Sequence, residues 1–162
     1  MSDLKEGGRD LVQYADQLDG DEKGEAQVFL DRLFQAFGHD GYKEAGATLE
    51  ERVRDADENV HFADLVWGDR ILIEMKSRGK NLDKYFDQAR KYWFDLYPKP
   101  SYVVLCNFDE LWIYDWEVQP DPVDEIEIED LPDRYTALNF MLPEEKDPVF
   151  GNDRVAVTRE AA

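Results

Sequence analysis

The sequence predicts an α/β (α+β) protein in which a central mixed sheet is flanked by helices. Three observations predict it: two amphipathic helical patterns near the start, an apolar hairpin pattern over residues 60–76, and a further helix followed by two apolar strands. The 162 residues suit one domain of ordinary size. The hydrophobic fraction of 43% argues against disorder, because it is enough to form a core.

Two helices are predicted before the first strand. The first runs from Leu4 to about Leu18, although Gly7-Gly8 weakens its start. The second covers residues 22–37, where Asp21 can cap the start and Gly38 can end the helix. Its apolar residues recur at helical spacing: Ala26, Phe29, Leu30, Leu33, Phe34 and Phe37.

Two apolar runs then form a hairpin pattern. Residues 39–59 are polar and predict a connection, in which a short strand is one alternative. Residues 60–66 and 71–76 are apolar, and the turn residues Trp67-Gly68-Asp69-Arg70 separate them. We therefore expect two antiparallel strands in the middle of the chain.

The second half predicts one helix, two strands and an acidic end. The helix runs from about Leu82 to Leu96, and strands follow at residues 102–106 and 111–116. A short helix begins near Asp130 and reaches about Phe140, and an extended or mobile tail is expected beyond Pro143. We divide the chain into an N-terminal helix (1–19), a core (20–118) and an acidic C-terminal extension (119–162).

The net charge of −19 opposes unaided binding to DNA, because phosphates are bound by Lys and Arg. The acidity has two explanations, which do not exclude each other. Any binding of DNA could belong to other parts of a longer protein, or the acidity could reflect salt adaptation. The single cysteine, Cys106, excludes an intrachain disulfide and favours a cytoplasmic setting. No apolar run approaches the length of a membrane span, and the first residues do not resemble a signal peptide.

Three charged residues interrupt the two apolar runs of the hairpin. Asp64 lies in the first run, and Glu74 and Lys76 lie two residues apart in the second. Charges in a buried strand are costly unless they are paired or bind a metal. Two carboxylates suit Mg²⁺, and an adjacent ammonium can orient the water that attacks a phosphodiester. The simpler alternative is an ion pair between Lys76 and either carboxylate, without a metal.

The length of the hairpin loop decides whether Asp64 and Glu74 can act together. A two-residue loop would pair Asp64 with Ile73 and place it on the face opposite Glu74. A three-residue loop of Trp67-Gly68-Asp69 would pair Val66 with Arg70 and Asp64 with Leu72. We predict the three-residue loop, because it places all three charged residues on one face.

These residues carry a family resemblance. Asp64…Glu74-Met75-Lys76 resembles the D…EXK motif of PD-(D/E)XK nucleases, which have a restriction-endonuclease-like fold, although Ala63 replaces the proline of that name. Glu25 matches an acidic residue on the preceding helix of such folds, and Gln88-X3-Tyr92 matches a motif of the following helix. Residues 20 to 117 are similar to the N-terminal nuclease region of MmeI-like, type IIL restriction–modification enzymes.

The resemblance implies a role and its components. It implies Mg²⁺-dependent cleavage of double-stranded DNA, with Mn²⁺ able to substitute, by catalytic residues Asp64, Glu74, Lys76, Glu25 and Gln88. The metal ligands would be Asp64, Glu74 and the Met75 backbone carbonyl. In that family a methyltransferase, which uses S-adenosylmethionine, and a target recognition domain follow in the same polypeptide. Neither a glycine-rich cofactor loop nor a methyltransferase motif is found in this sequence.

Several assignments have simpler alternatives. Glu25 could serve only as a first-turn glutamate that favours the helix dipole, and Tyr92 could serve only as core. The most basic stretch could contact the DNA backbone or form a solvated helix face: Arg78, Lys80, Lys84, Arg90 and Lys91. For the chain as a whole, the alternatives to a nuclease are a catalytically silent DNA-binding or scaffold domain and an acidic mimic of DNA.

Overall fold

The computed structural model describes residues 2–151 and contains one six-stranded sheet. Its strands are β1 (Thr48–Arg54), β2 (Val60–Trp67), β3 (Ile71–Met75), β4 (Tyr102–Cys106), β5 (Glu110–Tyr114) and β6 (Asp124–Glu127). The order in the sheet equals the order in the chain, and only β3 and β4 run parallel. The predicted mixed sheet is confirmed.

Helices cover both faces of this sheet. They are α1 (Ser2–Asp16), α2 (Glu22–Ala36), α3 (Tyr42–Ala45), α4 (Phe86–Asp95) and α5 (Leu131–Arg134), with 3-10 turns at Leu82–Tyr85, Ile128–Asp130 and Tyr135–Met141. One buried cluster joins α1, α2 and the segment after β6 to one face of the sheet. A second joins α4 to the other face. The helical and strand periodicities of the sequence therefore correspond to two packed interfaces.

Helix α1 continues through Gly7-Gly8, where the sequence predicted a weak start. A Cβ atom on Gly7 would lie 2.5 Å from the backbone oxygen of Ala36, and one on Gly8 would lie 3.0 Å from Cα of Pro132. Two glycines here allow α1 to approach the end of α2 and the start of α5. The low helical propensity of glycine is thus offset by close packing.

The compact core does not end at residue 118, contrary to the expected division. The sheet gains β6, which the sequence analysis did not predict. Apolar residues on both sides of that boundary share one cluster, such as Ile113 before it and Ile126 and Phe140 after it. The short segment β6 was missed because its acidic residues conceal the alternation of apolar side chains.

Residues 144–151 form neither helix nor strand, as expected, but they are anchored to the rest of the fold. Val149 N donates to Thr136 O at 3.1 Å, and Gly151 N donates to Asp124 Oδ2 at 3.0 Å. The rest of the expected tail, residues 152–162, lies outside the described residues. Among residues 2–151, no helix combines the length and the apolar character needed to cross a bilayer.

Candidate active site

The β2–β3 hairpin brings Asp64 opposite Glu74. The strands pair Leu65 with Ile73 and Trp67 with Ile71, so the three loop residues are Gly68, Asp69 and Arg70. The predicted pairing was therefore shifted by two residues, because the loop begins one residue later than expected. The loop nevertheless has three residues, as predicted, and contains a left-handed Gly68 (φ +53°). An odd number of loop residues places Asp64 and Glu74 on the same face of the hairpin.

The two carboxylates hydrogen-bond to the backbone beside each other. The β2–β3 ladder ends at Leu65–Ile73, and Asp64 N then donates to Glu74 Oε2 at 2.6 Å. Met75 N donates to Asp64 Oδ2 at 2.7 Å. The second oxygen of each carboxylate accepts no hydrogen bond from residues 2–151. The pair is thus fixed in place while one oxygen of each group stays available.

Burial shifts the proton affinities of this pair. Glu74 is 2% exposed, and its burial, together with the charge of Asp64, raises the pKa of Glu74 to about 8. Burial also raises the pKa of Asp64. Two adjacent carboxylates with raised pKa values favour binding of a proton or of a cation.

The β2 strand is distorted at Asp64. Ala63 packs with Val53 in the cluster on the α4 side, whereas Leu65 packs in the cluster on the α2 side. Residues two apart in a regular strand share a face, so β2 changes face between them. Glu50 of β1, opposite this point, has a φ of +52°. The distortion opens Asp64 to a cleft of about 530 Å³ between α2 and β1.

Lys76 extends from the end of β3 toward α4. Its backbone N donates to Cys106 O at 2.7 Å, and its Nζ donates to Gln88 Oε1 at 3.0 Å. The ammonium also lies 4.6 Å from the centre of the Tyr85 ring. Within residues 2–151, Lys76 forms no ion pair shorter than 4.0 Å. Its charge still lowers the pKa of Asp64 and Glu74, so it lies near both without neutralising either by direct pairing.

Gln88 links Lys76 to Tyr92. Gln88 Nε2 donates to the Tyr92 hydroxyl at 3.4 Å while its Oε1 accepts from Lys76. Tyr92 belongs to the core on the α4 side, and its burial raises its pKa, with the charges of Glu74 and Asp64 adding to the effect. Gln88 therefore lies within the site, and Tyr92 is both a core residue and a neighbour of the carboxylates.

Glu25 does not line the cleft that contains Asp64. Its Oε1 accepts from the backbone N of Gly20 at 2.8 Å and of Asp21 at 3.0 Å, and its Oε2 accepts from Asp19 N at 3.2 Å. These hydrogen bonds lower its pKa, with that from Asp21 the largest contribution. The carboxylate of Glu25 holds the loop before α2. This contact favours the structural role of Glu25 over the predicted catalytic role.

Glu22, one turn earlier, is the acidic residue that α2 turns toward the site. It lines the cleft with Asp64 and Glu50. Its charge contributes to the raised pKa values of both Asp64 and Glu74. Sequence reasoning missed it because both glutamates occupy the first turn of α2, and only the loop geometry shows which of them is engaged elsewhere.

The basic stretch divides into buried and exposed members. Arg78 is partly buried and pairs with Asp109, whereas Lys80, Lys84 and Arg90 are exposed. Exposed Lys91 lies 3.8 Å from Asp55. These three exposed cations remain available to a polyanion, and Arg78 does not.

The donor set suits a hard divalent cation that keeps other ligands. Within residues 2–151, no three His, Cys, Asp or Glu side chains come close enough to hold a metal alone. Two carboxylates, each with a free oxygen, nevertheless match the way Mg²⁺ is held by one or two carboxylates, with water and phosphate completing its shell. The residues present therefore fit Mg²⁺ better than a metal enclosed by protein ligands, such as structural zinc.

Comparison with known proteins gives two findings. The family described as MmeI, N-terminal domain, matches residues 9–162. A chain in the cryo-electron microscopy structure of the DrdV–DNA complex is similar, with a TM-score of 0.50 and 16% sequence identity. The match covers 99% of this chain but 14% of the DrdV chain. At this identity the likeness concerns the fold. No curated protein matches the chain.

Proposed function

The chain belongs to the family of MmeI N-terminal domains, and from this membership and the geometry of its site we propose that it is the DNA-cleaving domain of a restriction–modification enzyme. We propose that it is a Mg²⁺-dependent nuclease of the PD-(D/E)XK type. The observation that carries this proposal is the reciprocal bonding of Asp64 and Glu74, with Lys76 beside them but unpaired.

Asp64 and Glu74 are the proposed ligands of Mg²⁺, with the Met75 backbone carbonyl as a third. When bound, the metal would lower the pKa of a water molecule and offset the charge of the phosphate. Glu74 must lose its proton before it can act as a ligand, because its pKa lies near 8. The amide of Met75 orients Asp64, so the chain fixes one ligand before any metal arrives.

Lys76 is proposed to orient the attacking water and to donate to a phosphate oxygen. Its hydrogen bond to Gln88 and its position over the Tyr85 ring hold the ammonium near the carboxylates. The water oxygen would attack phosphorus as the bond from phosphorus to the 3′ oxygen breaks. The attacking water would lose a proton to solvent and the 3′ oxygen would take one up from solvent, which leaves 5′-phosphate and 3′-hydroxyl ends. Fixed donors of this kind stabilise charge that develops in the transition state.

The acidity of the chain is consistent with binding of DNA by other domains. With a net charge of −19, the domain opposes binding of a polyanion except near its exposed cations. We propose that a methyltransferase, which uses S-adenosylmethionine, and a target recognition domain in the same polypeptide hold the double-stranded DNA and choose the site. The proposed enzyme acts in the cytoplasm.

The test is DNA cleavage by the full-length enzyme with Mg²⁺ or Mn²⁺. Asp64→Asn, Glu74→Gln and Lys76→Ala should each abolish detectable cleavage, whereas exposed Glu117→Gln should not. Full activity in all three site variants would overturn the proposal. A silent scaffold or an acidic DNA mimic would show no metal-dependent cleavage in the wild type, and a mimic would bind a DNA-binding protein tightly without metal.

A further inference from the structure

Arg78 lies two residues beyond Lys76, just past the end of β3. It connects this point to the end of α1, to the β4–β5 turn and to the α1–α2 loop. Its guanidinium donates to the backbone oxygens of Ala15 at 2.8 Å and Leu18 at 3.3 Å, at the C-terminal end of α1. It also pairs with Asp109 in the turn between β4 and β5. A cation at these carbonyls complements the negative end of the α1 dipole. The side chain is therefore held by several partners within the protein.

Residue 78 contacts the loop between α1 and α2 through both its backbone and its side chain, the latter by the hydrogen bond to Leu18 O. Arg78 N donates to Gly20 O at 2.8 Å. Gly20 has a φ of +87°, and a Cβ atom there would lie 2.3 Å from Cβ of Arg78. Only glycine allows this approach without displacing one of the two segments. Glu25 binds the amides on the other side of the loop, so residues 19–21 are held from two directions.

The first turn of α2 follows directly from this loop. Asp21 caps the helix by accepting from Lys23 N at 3.1 Å, and Glu22 N donates to Ser77 Oγ at 3.3 Å. Ser77 thus connects the end of β3 to Glu22, which lines the cleft together with Asp64. A shift of the loop would move Glu22 relative to Asp64.

We propose that Arg78 is a positioning residue that keeps Glu22 in the cleft lined by Asp64. The inference rests on the proposed function, because Glu22 is expected to act by strengthening the binding of a cation to Asp64 and Glu74. Arg78 acts through the 19–21 loop and touches neither carboxylate of the pair. Its charge is engaged by Asp109 and α1, which argues against a direct role in holding a DNA phosphate.

The test compares Mn²⁺ affinity, measured by calorimetry, in the wild-type chain and its variants. Glu22→Gln and Arg78→Ala should each weaken binding by about tenfold, the lower end of the effect expected for residues that support metal ligands. Arg78→Lys should restore part of the loss. Gly20→Ala should weaken binding as Arg78→Ala does, because it displaces the same loop without removing a charge. Arg54→Ala, on an exposed arginine near the far end of the β1–β2 hairpin, is the matched control and should bind as the wild type.

The double variant separates positioning from general destabilisation. If Arg78 acts through Glu22, Arg78→Ala should cause no further loss of Mn²⁺ affinity in a Glu22→Gln background. An equal loss in both backgrounds, or unchanged affinity in Glu22→Gln, would overturn the proposal. Amide hydrogen exchange gives an independent readout, and Arg78→Ala should accelerate exchange at residues 19–22 while cooperative unfolding is retained.

Exchange also distinguishes the two proposals from each other. If the wild-type chain binds no Mn²⁺, the proposed function fails, and the exchange at residues 19–22 still tests whether Arg78 holds the loop. Unchanged exchange in both Arg78→Ala and Gly20→Ala would show that the loop is held without the arginine, and the inference would be wrong.

Discussion

Asp64 and Glu74 each accept a hydrogen bond from the backbone beside the other, Asp64 N to Glu74 Oε2 at 2.6 Å and Met75 N to Asp64 Oδ2 at 2.7 Å. These bonds begin where the β2–β3 ladder ends. The two side chains therefore hold the strands together at the point where the backbone stops doing so. The site residues are also structural residues, so changes to them should alter stability as well as chemistry.

Without metal, the chain should become less stable as pH rises from about 5 to 8. Glu74 has an ordinary pKa of 4.5 and a folded pKa of about 8, so the folded state binds the extra proton in this interval. The stabilisation is complete below pH 4.5 and is lost as pH passes through about 8, by at most about 1.4 kcal/mol per pH unit. Urea unfolding of wild type and Glu74→Gln at several pH values measures this, since the variant cannot ionise.

Glu117→Gln, which changes an exposed carboxylate, controls for the charge removed. Wild-type and Glu74→Gln curves that stay parallel from pH 5 to 8 would show that Glu74 is not the titrating group. Saturating Mn²⁺ should reverse the wild-type trend, because the metal binds the ionised carboxylates.

Glu22 and Glu25 should respond in opposite ways to removal of their charges. Glu22→Gln should weaken Mn²⁺ binding with little effect on unfolding, because its side chain lines the cleft. Glu25→Ala should lower stability, since three amides lose their acceptor, and should affect the metal only through the loop. Stability from Glu25 should be present above its ordinary pKa of 4.5 and lost below it, because its folded pKa is lowered.

Calorimetry with Mn²⁺ and thermal unfolding of both variants check this assignment. A loss of affinity in Glu25→Ala that exceeds the loss in Glu22→Gln would restore Glu25 as the site residue on α2.

Gln88→Leu should slow cleavage by the full-length enzyme while leaving Mn²⁺ affinity near that of the wild type. Gln88 orients Lys76 and does not contact either carboxylate. We expect the single-turnover rate constant to fall by about tenfold, the lower end of the effect of losing an orienting group. Single-turnover cleavage with saturating metal measures it. Gln88→Glu, which retains an acceptor for Lys76, is the informative control and should lose less activity than Gln88→Leu.

Gly7→Ala should destabilise the chain by about 1–3 kcal/mol, because the added methyl would overlap with the backbone oxygen of Ala36. Helix propensity alone predicts the opposite, a gain of about 1 kcal/mol. Urea denaturation therefore decides between the two by the sign of the change. Glu6→Ala, at an exposed neighbouring position in α1, should shift stability by no more than about 0.5 kcal/mol.

Sequence periodicity was sufficient to predict most of the sheet. The long apolar runs of β2, β3, β4 and β5 and the amphipathic pattern of α2 all corresponded to elements. The edge segment β6 was not predictable in this way, because its stability depends on pairing with β5 and on Arg134 holding Asp124. Contacts between segments that are distant in the sequence do not produce a periodic pattern of apolar residues.

The proximity of Asp64 and Glu74 was predictable from the sequence, whereas the exact pairing of their strands was not. The spacing of Asp64, Glu74 and Lys76 identified the cluster, and parity alone brought the carboxylates together. The exact pairing depends on where the loop begins. Moving a three-residue loop by one residue changes every strand pair but keeps Asp64 and Glu74 on the same face. The roles of Glu22 and Glu25 depend on which amides the 19–21 loop presents, and a loop conformation cannot be read from helical periodicity.

The outer strands of the sheet bear on how copies of this domain behave at high concentration. An open sheet exposes unpaired backbone groups along its first and last strands, where another chain could add a strand. Here β6 carries exposed Glu125 and Glu127, and β1 carries exposed Arg52 and Arg54 together with the irregular Glu50. Charged and distorted borders disfavour strand addition between molecules. Copies of the domain can therefore lie beside one another without joining sheets.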